Sequence, residues 1–336
     1  MLDESALLCE QVLSGWSGVL GSARVEFLPH DDAPDHASDV YAVVAQDGSE
    51  FVLKGYPSAQ DPYSGRPGLA EQHRLLQHLH AVGVPVAASI PSDDGRPFVT
   101  GPERVYALTR RLRHDPTPPE LCADPARTYR AIGAVIGQVH RGLASYPHPL
   151  ITSEMDLATR TFDNVLPQIR AHPPAPQLTA LTQALDPLQE WMHDSLSGLT
   201  RQRIHGDCHL GNILLAGGEV IGVLDLDLVA IAPPIYDLGY LLSGRVVWAL
   251  EDPARIASRT TTLLQVIAPL LAGYQQEHGM EERMQAALVP TILAVELIFV
   301  DCHLRSGLTA FVDTSVNTFL WMAQHHDALC NAIEHS

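Results

Sequence analysis

The chain of 336 residues carries 39 acidic and 21 basic side chains, for a formal net charge of −18, and every basic residue but Lys54 is an arginine. That balance sets nucleic acid aside as a main partner, because phosphate-backbone binding needs a basic face that releases counterions; small or cationic partners suit it better. With 46% hydrophobic and 18% charged residues, the chain is too apolar for disorder and has material for a core spread over two domains or lobes.

The first hundred residues alternate short β-rich runs with turns, at 23–28, 40–45 and 51–56, with Asp47 and Gly48 as a hairpin signal between the last two. Residues 68–82 form a helical pattern in which Leu75, Leu79 and Val82 recur on one face and Gly83 follows the end. A turn-rich stretch leads to a further apolar run at 105–108. From Thr128 onward the period is mostly helical, over 129–143, 178–199, 260–276 and 284–304. One island in the second part is not helical. Residues 205–227 read as a loop, a short strand, a Gly217-Gly218 turn and a second strand ending in Leu224-Asp225-Leu226-Asp227.

The five cysteines Cys9, Cys122, Cys208, Cys302 and Cys330 contain no C-x-x-C pair, so neither a disulfide framework nor a thiolate zinc site is indicated, and a cytoplasmic location is expected. Asp3, Glu4 and Glu10 do not make a signal peptide. The longest apolar stretch, 286–300, holds Pro290 and Glu296 and is too short for a bilayer, so no membrane partner is expected.

Asp207 is followed five residues later by Asn212 and thirteen after that by Asp225. In phosphoryl transfer a loop Asp receives the acceptor hydroxyl's proton, an Asn five positions on holds a metal, and an Asp on the next hairpin holds it too. His205 completes H-x-D-x-x-x-x-N. A zinc-like alternation of His205, Asp207 and His209 would leave Asn212 and Asp225 unexplained. No G-x-x-x-x-G-K-[ST] sequence is present.

The run HGDCHLGNILL, followed by VLDLD and PPIYDLGYLL, resembles the signature of the aminoglycoside phosphotransferase and choline-kinase-like family, which shares the protein-kinase fold. The likeness is tight over residues 203–244 and loose over the rest. It implies an α+β, bilobal protein-kinase-like fold: a small antiparallel-sheet lobe, placed at 1–107, that binds nucleotide, and a larger helical lobe, placed at 108–336, that binds the acceptor. The implied activity is transfer of the γ-phosphate of ATP or GTP, with Mg2+, to a hydroxyl of a small molecule. Asp207 would be the base, Asn212 and Asp225 the metal ligands, and Asp227 either a further ligand or a turn cap.

Such a fold needs a strand lysine on the nucleotide phosphates and a helix glutamate to orient it. Lys54 lies in the strand Phe51-Val52-Leu53-Lys54, and Glu71 shares the helical face of Leu75, Leu79 and Val82, where an inward acid needs a partner. Ser38, in an acidic loop without glycine, is the candidate contact to the triphosphate. The base would be read near Tyr106 and Leu108. His205 is expected to hold the loop, and Asp237 to cap the helix 238–250 while supporting the loop by hydrogen bonds. Tyr236 follows Asp225 by eleven positions, too few for the long activation segment of a peptide-binding kinase, which favours a small acceptor. Asp163, Glu296, Asp301 and His303 are candidate acceptor contacts, and buried acids there would suit an amine-bearing acceptor. Sugar and amino-sugar kinases and bacterial stress-response protein kinases share the motifs, so a protein Ser/Thr kinase and a catalytically inactive nucleotide-binding protein are the alternatives.

Overall fold

The structure is a computed structural model and describes residues 11–28, 39–57, 67–101, 104–115 and 117–334. It divides into two compact units: Met1–His114 with Tyr146–Ser153 and Gly222–Asp227, and Asp115–Ser145 with Glu154–Ile221 and Leu228–Ser336.

The first unit is built on a six-stranded antiparallel sheet. Its strands are β1 (Arg24–Phe27), β2 (Asp39–Val44), β3 (Glu50–Tyr56), β4 (Ser89–Ile90), β5 (Val99–Thr100) and β6 (Val105–Arg110), with helix α1 (Leu69–Ala81) between β3 and β4. The spatial order is β1-β2-β3-β6-β4, and β5 also pairs with β6. The β2–β3 hairpin closes at the expected place: Gly48 has φ +84°, and Asp47 accepts from the Ser49 amide at 2.8 Å. Alternation along β3 buries Phe51 and Leu53 with Trp16, Val43 and Leu108. Because successive side chains point to opposite faces, Lys54 emerges on the other side of the sheet from that core. The Val223 amide donates to the Pro85 carbonyl at 2.7 Å, and Val223 pairs in parallel with Val86, which seats residues 222–227 in this unit.

The second unit is mainly helical. Its long helices are α2 (Pro125–Ser145), α6 (Ile235–Leu250), α7 (Ile256–His278), α9 (Leu288–Ser306) and α10 (Thr309–Gln324), with shorter ones α3 (Leu166–Ala171), α4 (Pro176–Leu185), α5 (Gln189–Leu196), α8 (Glu282–Ala286) and α11 (His326–Glu334). The helix expected over 178–199 is interrupted: Pro187 cannot donate to the ladder, and a 3-10 turn, Asp186–Leu188, separates α4 from α5. The one expected over 284–304 likewise breaks at Ala287, between α8 and α9.

Helices α2 and α7 cross at backbone contact. A Cβ on Gly133 would stand 1.9 Å from the Leu270 carbonyl oxygen, and one on Gly273 would stand 1.9 Å from that of Arg130, so only glycine fits at either place. The non-helical island is present. Strand β7 (Gln202–Ile204) leads into the loop, then β8 (Ile213–Ala216) and β9 (Glu219–Val223) form a hairpin, and β10 (Ala230–Ala232) returns to pair antiparallel with β7. No helix among the described residues is long and apolar enough to cross a membrane.

Candidate active site

In the first unit, Lys54 joins two carboxylates that are far away in sequence. Its Nζ lies 3.0 Å from Asp225 Oδ1, 3.1 Å from Asp225 Oδ2 and 3.0 Å from Asp227 Oδ2, and 5.1 Å from the centre of the Tyr56 ring. Burial alone would lower the lysine pKa, but the neighbouring Tyr56 and the Asp227 and Asp225 carboxylates outweigh it and raise it well above the ordinary value. Burial and the neighbouring Asp225 charge push the Asp227 carboxyl above the usual carboxylate range, against the pull of Lys54. Asp225 adopts φ +58°, a left-handed conformation that is uncommon outside glycine and that Asp tolerates better than most residues. Two carboxylates sharing one ammonium form an oxygen donor set with surplus negative charge, which fits a hard divalent cation.

Glu71 goes elsewhere. It is the third residue of α1, and its Oε2 accepts from the Gly68 amide at 3.1 Å, one of the donors that a helix start leaves without an intrahelical partner. The expected bond to Lys54 is replaced by this capping bond, while Lys54 takes the two aspartates. Tyr106 and Leu108 are buried in the core, and β6 is paired with β3 along one edge and with β4 and β5 along the other, so neither residue offers free backbone to a base. Ser38 lies outside the described residues.

In the second unit the loop after β7 is organised around Asp207 and Asp237. Asp207 Oδ2 accepts from Asn212 Nδ2 at 3.1 Å, and Oδ1 accepts from the Tyr240 hydroxyl at 3.0 Å. Asn212 Nδ2 also donates to the Asp207 carbonyl at 2.9 Å, so its side-chain oxygen is the atom it would offer a cation. Burial pushes the Asp207 carboxyl up, yet the His209 imidazole and the Tyr240 hydroxyl more than offset this and bring its pKa to about 2. Burial, together with the same carboxylate, raises the Tyr240 phenol well above its ordinary range.

The loop histidines are occupied locally. His205 is buried and its Nδ1 accepts from the Asp207 amide at 3.2 Å, while His209 Nδ1 accepts from the Gly211 amide at 3.1 Å. Gly206 has φ +82°, and a Cβ there would meet the Leu228 carbonyl oxygen at 2.1 Å.

Asp237 is not a helix cap. Pro234 precedes the helix, α6 begins at Ile235, and Asp237 sits inside its first turn, fully buried. Its Oδ1 accepts from the Gly206 amide at 2.9 Å, and its Oδ2 from the His205 amide at 2.8 Å and from His140 Nε2 at 2.7 Å. The chain of bonds continues from His140 Nδ1 to the Tyr274 hydroxyl, 2.9 Å away, and from there to His278 Nδ1 at 3.1 Å.

Of the acceptor candidates, Asp163 is exposed on a π-helical turn, Thr159–Val165. Glu296 is 1% exposed and bound by the Ser243 hydroxyl; Asp301 is 4% exposed and held by Arg305 at 2.7 Å. His303 stacks on Phe299 and is half-buried. Tyr240 and His140 have no counterpart in the expectations from sequence. The available signals were Tyr240 standing one turn after Tyr236, and a histidine on the apolar face of α2 among Ile136, Val139 and Leu143.

The sequence matches the phosphotransferase enzyme family over residues 32–286. Serine/threonine protein kinase RdoA of Salmonella typhimurium is 26% identical over 261 residues, which cover 76% of this chain and 73% of that protein. Among solved structures, the microcompartment-associated aminopropanol kinase superposes with TM-score 0.65 at 18% identity, over 95% of this chain and 97% of that one. The amicoumacin kinase hAmiN, in complex with AMP-PNP and Ca2+, gives TM-score 0.60 at 18% identity, over 88% and 87%. The antiparallel sheet followed by a helical remainder is thus the protein-kinase-like fold. Within that class the chain belongs to the phosphotransferase enzyme family, and it is a phosphotransferase.

Proposed function

We propose that the protein transfers the γ-phosphate of ATP or GTP to a hydroxyl group of a small molecule. The observation that carries this reading is Asp207: a half-buried carboxylate kept ionised, with one oxygen fixed by Asn212 and the other by Tyr240. In the transfer, the acceptor oxygen bonds to the γ-phosphorus as the bond from that phosphorus to the β-γ bridging oxygen breaks. The acceptor proton passes to Asp207 and the nucleoside diphosphate leaves. A carboxylate with a pKa of about 2 is a weak base, so Asp207 acts first by orienting the hydroxyl and takes its proton late, as charge develops on the phosphoryl oxygens.

Lys54 supplies a point charge for the nucleotide phosphates, and Asp225 and Asp227 hold it in place until then. Asn212 and Asp225 are the proposed ligands of Mg2+, with Asp227 as a further carboxylate; the metal would neutralise charge on the β- and γ-phosphates when bound. His205 and Asp237 keep the loop backbone in register. The test is Asp207→Ala in an assay of nucleoside diphosphate release. Turnover should fall by about two to four orders of magnitude while nucleotide affinity stays near that of the parent; unchanged turnover would overturn the assignment.

The likeness to a serine/threonine protein kinase favours one second reading, transfer to protein hydroxyls. Radiolabelled ATP offered to a protein lysate and to a metabolite panel separates the two by where the label goes.

A further inference from the structure

A row of aromatic rings runs across the helical unit from the Asp207 carboxylate. Tyr240, whose hydroxyl donates to Asp207, has its ring centre 5.4 Å from that of Phe299. Phe299 lies parallel to His303, at 5.9 Å and 8°, and His303 is 5.4 Å from Phe311. Tyr236 and His209 flank Tyr240 at 6.0 and 6.2 Å. The arrangement follows from helical spacing: Tyr236 and Tyr240 on α6, like Phe299 and His303 on α9, are four residues apart and so share a face. Phe311, in the first turn of α10, closes the far end and is 49% exposed, while Tyr240, Phe299 and His303 are half-buried.

We infer that this aromatic shelf receives the acceptor, and that the acceptor is a neutral, hydroxylated ring compound, a pyranose or an aromatic alcohol, stacked through an uncharged face. The inference rests on the phosphotransferase reading above and narrows it. Ring faces attract C–H groups and other rings, and a half-exposed row of them ending on a catalytic carboxylate is an apolar surface in need of a partner.

The acids of α9 give a polycation little to bind. Asp301, on the same helix, is turned inward to Arg305, and Glu296 is enclosed with Ser243. Burial holds His303 below its ordinary pKa, so it faces the shelf uncharged at neutral pH. A quaternary ammonium would also be drawn to ring faces, but its strong sites enclose the cation on several sides. Phe299 and His303 are stacked on each other, parallel and 5.9 Å apart, which leaves no room for such a cation between them.

The experiment is a Mg2+- and ATP-dependent ADP-release assay with methyl glycosides and 2-phenylethanol on one side and aminoglycosides, choline and a protein substrate on the other. The expected result is turnover of at least one neutral ring compound. Its KM should rise about tenfold or more in both Phe299→Ala and Phe311→Ala, with the KM for ATP within about twofold of the parent. Tyr240→Phe, which keeps the ring and removes the hydroxyl, should lower kcat and leave the acceptor KM near its original value. Turnover confined to aminoglycosides, choline or protein, or a KM that neither phenylalanine variant moves, overturns the shelf. If that turnover still vanishes in Asp207→Ala, the phosphotransferase reading survives; if Asp207→Ala changes nothing, both fall.

Discussion

Replacing Asp237 by Asn probes the support of the loop with a change of one atom. The parent carboxylate is fully buried and accepts three hydrogen bonds: from the Gly206 amide on one oxygen, and from the His205 amide and His140 Nε2 on the other. An Asn can keep its oxygen where two donors converge, but its NH2 group then faces the Gly206 amide, donor against donor. A buried amide left unsatisfied costs about 1 to 3 kcal/mol, and the two surviving bonds lose the strength that a charged acceptor gives them, about 1 kcal/mol each. Relief of the cost of burying a charge returns part of this, so the net loss should be about 2 to 4 kcal/mol. Urea denaturation, followed by tryptophan fluorescence, should show the midpoint falling with the slope unchanged. Turnover should fall as well, because the displaced amides belong to the residues just before Asp207. A variant within about 0.5 kcal/mol of the parent and equally active would mean that the loop does not depend on this carboxylate.

Lys54→Arg conserves charge but replaces a compact ammonium, shared among three carboxylate oxygens, with a planar fork. Phosphate transfer should drop by about ten- to a hundredfold, measured as kcat/KM for ATP. Glu296 gives a pH signature. Burial raises its carboxyl from 4.5 to about 7, opposed by bonds from Ser243 and Ser315, so the folded state holds a proton that the unfolded chain releases. The stabilisation is therefore fully present below pH 4.5 and lost as pH rises through about 7, a swing of roughly 3 kcal/mol. Glu296→Gln should flatten that decline in urea midpoints taken from pH 4.5 to 8, and an unaltered decline would assign it to other groups.

The parts of the site legible in the sequence were those tied to strands and to fixed spacing. Alternation on β3 put Lys54 opposite the core, and the hairpin after Asn212 carried Asp225 and Asp227 into the same unit as Lys54. Helix starts were harder. An apolar stripe places Glu71 on a face but does not say whether an acid at the third helical position will reach a lysine or turn back to the orphan amides of its own first turn. Reading Gly68 as the cap would have revealed that competition. The expected helix starts at residue 238 with Asp237 as its cap, whereas a proline at the helix start is preorganised for the first turn, and α6 therefore begins early enough to take in Asp237. Tyr240 and His140 were invisible for a different reason. Their partners, Asp207 and Asp237, lie 33 and 97 residues away, and no local period records such a pairing.

The crossing of α2 and α7 also bears on the chemistry. Gly133 and His140 are seven residues apart, two turns along one face of α2, and Gly273 adjoins Tyr274 on α7. At the crossing, each helix's carbonyl occupies the room where the other's Cβ would be. A slip of one residue would drive Ala134 or Ala272 into that space, so the pair behaves like a keyed joint with one permitted setting. His140 and Tyr274 meet only in that setting, and through His140 it reaches the carboxylate that holds the loop amides. Two residues without side chains thus act as a distant alignment pin for the loop that carries Asp207.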